Sequence, residues 1–190
     1  MLPLRSARHL ASQCLREALR PGDHAVDATM GNGQDTLLLA QLVGPSGRVD
    51  AFDIQPSALQ RTRELLEEAG YLAQTCLHLA GHETLGDAVQ GPVQAIVFNL
   101  GWLPGGDKGI TTRVETTRKA LEASVALLAP GGVLSVCAYP GHEEGSREEA
   151  VVRGFLSALK PQDFNVLEQV FLNASPGAPV FFLAQKQPIP

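Results

Sequence analysis

The sequence predicts an α/β protein of doubly wound, Rossmann-like type: a single domain on a seven-stranded, mostly parallel sheet with an antiparallel C-terminal strand. Three observations carry this. Short apolar runs alternate with helical periodicities from one end of the chain to the other. The stretch Ala25-Val26-Asp27-Ala28-Thr29-Met30-Gly31-Asn32-Gly33-Gln34-Asp35-Thr36 reads as a buried strand, a glycine turn and a helix start. About twenty residues on, Val49-Asp50-Ala51-Phe52-Asp53 is a second strand ending in a carboxylate, where such folds place a ribose-binding acid.

The elements follow in order. Apolar residues at Leu4, Ala7, Leu10, Ala11, Cys14, Leu15, Ala18 and Leu19 have helical spacing, and Pro21-Gly22-Asp23 stops that helix. The first strand and glycine loop come next, then a helix over 34–43. Gly44-Pro45-Ser46-Gly47 turns into the strand at 48–53. Pro56 suits the first turn of a helix that runs to Gly70. A strand over 75–80 leads through Gly81-His82-Glu83-Thr84 to a short helix ending by Gln90. The near-continuous apolar run 93–100 reads as a central parallel strand.

A loop without periodicity then spans Gly101–Ile110, and Thr111 or Thr112 is placed to cap a helix running to Leu128. Pro130-Gly131-Gly132 is expected to turn into a strand over 133–139, and a helix over 147–159 follows. Strands over 165–172 and 180–186, joined by a short connection, suit antiparallel pairing.

Composition narrows the function. With 190 residues, the chain fits one domain of 1–190, a helix over 1–20 preceding a core over 23–190. Three scattered cysteines without C-x-x-C spacing argue against a disulfide framework or a zinc site, so no metal is expected. No signal-peptide pattern and no membrane-spanning run is visible, and a cytoplasmic location is expected. A net charge of −5 leans towards a small-molecule substrate, although a basic patch can exist on an acidic protein.

The glycine loop bears on the ligand. A dinucleotide fold favours G-x-G-x-x-G, and the third glycine is missing here. Instead Asp27 ends the first strand, four residues before Gly31, which looks like the D/E-x-G-x-G-x-G loop of S-adenosylmethionine (SAM) methyltransferases with Thr29 at the first glycine. A carboxylate there suits a cationic ligand and would repel a pyrophosphate. The expected cofactor is SAM. Its candidate contacts are Asp27, Thr29, Gly31, Asn32, Gly33, Asp35 and Thr36 around the loop and helix start. Asp53 would hold the ribose diol, with Gln55 against the adenosine and His82 at the adenine edge. Asp35 reads equally as an acid favoured by the helix dipole.

The second focus is Asn99-Leu100-Gly101-Trp102-Leu103-Pro104. It resembles in part the N/D-P-P-F/Y turn of amino-methyltransferases, whose amide and backbone carbonyls accept hydrogen bonds from the target amine beneath an aromatic ring. Asn99 also borders the cofactor end. Asn99, Gly101 and Trp102 are therefore candidate catalytic residues, and Asp107 and His142 are candidate proton acceptors. Cys137, inside a predicted buried strand, reads as core rather than as a nucleophile.

Together with Phe52-Asp53-Ile54-Gln55, Gly81-His82-Glu83, the block from Phe98 to Lys108 and Tyr139-Pro140-Gly141-His142, these residues resemble the YtqB/MnmM family of small class I methyltransferases over nearly the whole chain. The resemblance implies SAM-dependent N-methylation of 5-aminomethyl-(2-thio)uridine at the tRNA wobble position by a homodimer. Trp102 stands where the family often has tyrosine. An RNA substrate would meet phosphate-facing cations at Arg5, Arg8, Lys108, Arg113 and Arg118, and an unstacked base could rest on Trp102. Other readings remain: methylation of rRNA or of a small metabolite, a silent SAM-binding fold, and an NAD(P) oxidoreductase.

Overall fold

The computed structural model describes residues 6–103, 105–107 and 109–188, so Arg5 and Lys108 lie outside the described residues. In chain order the elements are α1 (Ala7–Ala18), β1 (His24–Asp27), α2 (Gln34–Val43), β2 (Arg48–Asp53), α3 (Pro56–Ala69), β3 (Thr75–Leu79), α4 (Leu85–Ala88), β4 (Val93–Asn99), α5 (Val114–Leu127), β5 (Leu128–Ala138), α6 (Glu143–Ser157), β6 (Phe164–Gln169) and β7 (Val180–Lys186). The sheet order is β3-β2-β1-β4-β5-β7-β6. The first five strands are parallel, and the order reverses between β1 and β4, the switch point where such sheets hold ligands.

Alternation along the central strands builds two cores. Ile96 and Phe98 of β4 pack with Leu85, Leu121, Leu134 and Val152 on one face of the sheet. Ala95 and Val97 pack with Leu15, Leu39, Val43 and Leu66 on the other. Both faces of the sheet are covered, which is why β4 reads as an unbroken apolar run. Ser6 caps α1, its Oγ accepting from the His9 N–H at 3.2 Å. The Ala7 and Ala11 side of that helix is buried with Cys137 and Phe181.

Several boundaries differ from the sequence expectation for physical reasons. The antiparallel strand β7 lies between β5 and β6, which leaves β6 at the edge of the sheet. Pro130-Gly131-Gly132 does not precede β5 but lies within it, at a register shift against β4, with Gly131 at φ +79°. α6 begins at Glu143 instead of residue 147, because the His142 ring Nδ1 accepts from the Gly145 N–H at 3.2 Å and starts the helix early. Neither Thr111 nor Thr112 caps α5. Arg113 occupies the cap position without a side-chain bond, and Glu144 of α6 accepts from the Val114 N–H at 3.0 Å.

Candidate active site

A cavity of about 520 Å³ opens at the carboxyl ends of the parallel strands, a size that suits a small ligand. Its floor is the glycine loop. Gly31 lines the cavity at φ +51°, and a Cβ there would lie 3.3 Å from Leu103 Cδ1. Gly33 takes φ +79°, and a Cβ there would lie 2.9 Å from Thr62 Oγ1 and 3.0 Å from Thr62 Cα. That close approach lets α3 pack on the loop, a role expected of the glycine that this loop lacks.

Asp53, at the end of β2, ties two neighbours to itself. One oxygen accepts from the Gly31 N–H at 3.1 Å and the other from the Gln55 N–H at 2.9 Å. Burial raises its carboxyl, against the pull of those backbone donors. The group lines the cavity, where its remaining lone pairs fit a hydroxyl-bearing ligand.

Asp27 is placed differently from the expectation. It is fully buried beneath the loop, accepting from the Thr29 N–H at 3.1 Å and from the Thr36 hydroxyl at 2.7 Å. Burial first, then the neighbouring Asp35 charge, pushes its carboxyl up to about 7. It shapes the loop from behind and does not reach the cavity wall. Gly33 and the buried Thr36 are likewise absent from that wall. The cavity is instead bordered by Thr29, Gly31, Asn32, Asp35, Asp53, Gln55, His82 and Asn99. His82 is buried, its Nε2 3.1 Å from the Thr116 hydroxyl and its ring edge-on to Phe98, and desolvation lowers its basicity.

Asn99 joins the two halves of the site. Its backbone N–H donates to Thr29 Oγ1 at 2.7 Å, and its amide nitrogen donates to Asp35 at 2.7 Å. Asp35 in turn receives the Arg8 guanidinium at 3.1 and 3.2 Å. With the nitrogen committed to Asp35, the amide presents Oδ1 as its acceptor end. Arg8, although exposed, therefore lies on the cavity wall as an ion-pair partner of Asp35.

Beyond Asn99, Gly101, Trp102 and His142 also border the cavity, and the Trp102 and His142 rings sit 4.4 Å apart. His142 Nδ1 is engaged at the start of α6, where it accepts from the Gly145 N–H. Asp107 is exposed, accepts from the Gly109 N–H at 2.8 Å and stands off the wall. Of the two expected proton acceptors, His142 stands on the cavity wall and Asp107 does not. Arg113 is on the wall, and Arg118 is exposed away from it. Burial pushes the Cys137 thiol up to about 12, which fits its core position.

The sequence reading missed Tyr139, Thr112 and Thr116, which also line the cavity. Tyr139 follows the end of β5, at the same carboxyl edge of the parallel strands as Asp53 and Asn99, so strand position alone points to it.

A doubly wound sheet with β7 antiparallel, a glycine loop lining the cavity and an acid at the end of β2 defines a class I SAM-dependent methyltransferase. The chain belongs to the family described as "Putative rRNA methylase", whose profile matches residues 49–185. A chloroplastic tRNA (mnm5s2U34)-methyltransferase of Arabidopsis thaliana is 37% identical, over 96% of this chain and 70% of its own. A Clostridium thermocellum structure described as a "putative rRNA-methylase" superposes with a TM-score of 0.94 at 36% identity, covering 97% of this chain and 100% of the other. A Streptococcus mutans methyltransferase solved with S-adenosylhomocysteine superposes with a TM-score of 0.87 at 33% identity, covering 97% and 99%.

Proposed function

We propose that this enzyme transfers a methyl group to the exocyclic amine of 5-aminomethyl-(2-thio)uridine at the wobble position of tRNA, giving the 5-methylaminomethyl form. The observation that carries the reading is the Asn99 amide. Its nitrogen is held by Asp35 and its oxygen is the end available to an N–H donor beside Trp102. The activity carried in the name of the Arabidopsis thaliana relative supports the same acceptor.

In this reading the loop backbone at Gly31 and Asn32, with Asp53 and Gln55, holds SAM, and His82 closes the adenine side. SAM, when bound, supplies a methyl group activated by a positive sulfur. The chain's residues supply position. Asn99 Oδ1 accepts one N–H of the uncharged amine and turns its lone pair towards the methyl, while Trp102 covers the base and excludes water. The amine nitrogen gains the methyl and afterwards loses a proton. That proton passes to solvent or buffer. Arg113, at the cavity mouth, and Arg118 would meet backbone phosphate.

The homodimer is part of the proposal. Val166, Leu167, Val170 and Leu172 are exposed on and just after the edge strand β6, as a self-association surface would be. Sedimentation that returns a monomer mass at micromolar concentration would remove that part.

The reading of RNA class is tested with labelled SAM and separate tRNA and rRNA from a strain lacking this gene. Label in tRNA alone is expected. Label confined to rRNA would overturn the substrate, and label in neither would move the acceptor to a small molecule.

A further inference from the structure

The geometry points to Glu148 of α6 as a positioning residue that fixes the neck of the Trp102 loop and thereby the acceptor side of the cavity. This rests on the reading that Trp102 and Asn99 face the acceptor.

Glu148 is fully buried, and among the described residues its side-chain partners are two hydroxyls and no cation. A buried carboxylate is costly unless donors satisfy it. Here two hydroxyls do so. Thr117 donates to one oxygen at 2.6 Å and Thr112 to the other at 2.6 Å. Burial raises the Glu148 carboxyl, and these two bonds oppose the rise. The first partner belongs to α5 and ties that helix to α6. The second belongs to the loop.

Thr112 passes the restraint on. Its Oγ1 donates to Glu148 and accepts from the Gly101 N–H at 2.8 Å, while its own N–H donates to the Gly101 carbonyl at 3.1 Å. Gly101 and Thr112 therefore close the loop at its base, and Trp102 bridges to Thr111 one step further out. Gly101 lies two residues from Asn99 and takes φ +141°, a backbone shape that depends on what its neighbours hold in place. The same helix touches this arrangement a second time, because the ring of its cap residue His142 packs at a tilt against Trp102. One helix thus holds the loop at neck and ring, through a carboxylate that never touches the ligand space.

Trp102 is the sole tryptophan of the chain, so its emission reports the loop without any substrate. The test compares wild type, Thr112→Val and Glu148→Gln by tryptophan emission, by SAM affinity, and by KM and kcat on tRNA. Thr112→Val keeps the side-chain shape and the Glu148–Thr117 bond, so it remains informative if Glu148 substitutions fold poorly. The expected result is a shifted Trp102 emission in Thr112→Val, a KM for tRNA raised about tenfold, as one or two lost hydrogen bonds would give, and SAM affinity within about twofold of wild type. Unchanged emission and unchanged KM, with only a lowered melting temperature, would overturn the role and leave Glu148 a structural polar group. If wild type methylates no RNA yet Thr112→Val still shifts the emission, the substrate reading falls and the loop anchor stands.

Discussion

At the residue scale, Asn99 and Asp27 show how the same short-range bonds yield opposite consequences. Asn99 is oriented by Asp35, which Arg8 neutralises, so a charged pair from two helices sets the direction of one neutral amide. Asn99→Ala is expected to lower kcat about 100-fold through misplacement of the acceptor, with SAM affinity retained; titration of SAM beside single-turnover transfer checks this. Asp27 is the reverse case, a buried acid whose folded-state pKa of about 7 lies above its unfolded value. As pH rises from about 4 to 7 the unfolded chain releases this proton and the folded chain keeps it, so stability is lost with rising pH. Asp27→Asn removes that loss. The variant should gain about 2 kcal/mol relative to wild type between pH 5 and pH 8, read as the change in the difference of denaturant unfolding free energies. Asp27 was visible in the sequence as an acid at a strand end. Its direction was not, because the side chain turns beneath the loop to meet Thr36, nine positions on.

At the element scale, the glycine loop and the two strands flanking it were legible from local signals alone. Strand period, glycine spacing and the proline at the start of α3 act over a few residues, and α2, β2, α3 and β7 have the expected boundaries. The elements that shifted do so through an unusual local cap in one case and a distant partner in the other. α6 starts early through a histidine cap, a residue type not favoured there, and the α5 start is held by Glu144 from another helix. Gly33 joins both kinds of information, since its positive φ is local and its contact with Thr62 is not. Gly33→Ala is expected to destabilise the fold by about 2 kcal/mol or more and to weaken SAM binding, measured by chemical denaturation and calorimetric titration. An alanine variant of wild-type stability would contradict the close approach of α3.

At the scale of the whole molecule, stability and function draw on opposite ends of one sheet. Near the amino end of β2, the Asp50 carboxyl receives His24 at 2.7 Å, His78 at 2.8 Å and Arg48 at 2.8 and 2.9 Å. Burial alone would raise it, yet these bonds outweigh burial and hold it below the usual carboxylate range. Its contribution is therefore present above the unfolded pKa near 4 and is lost as pH falls below that value. Asp50→Asn should lower stability by about 2 kcal/mol at pH 7, with the deficit shrinking in acid; melting curves across pH 3 to 7 follow it. The cavity lies at the opposite, carboxyl ends of these strands. Net charge of −5 averages over both ends, which is why composition leaned towards a small molecule while the cavity mouth carries Arg113.

The central claim is the acceptor nucleoside, and mass spectrometry of digested tRNA tests it most directly. Purified protein and SAM would be incubated with tRNA carrying 5-aminomethyl-2-thiouridine at the wobble position, beside the same tRNA with an unmodified uridine there. One added methyl is expected on the aminomethyl nucleoside and none in the unmodified tRNA. Methylation of the unmodified tRNA, or of any other nucleoside with the aminomethyl group untouched, would contradict it.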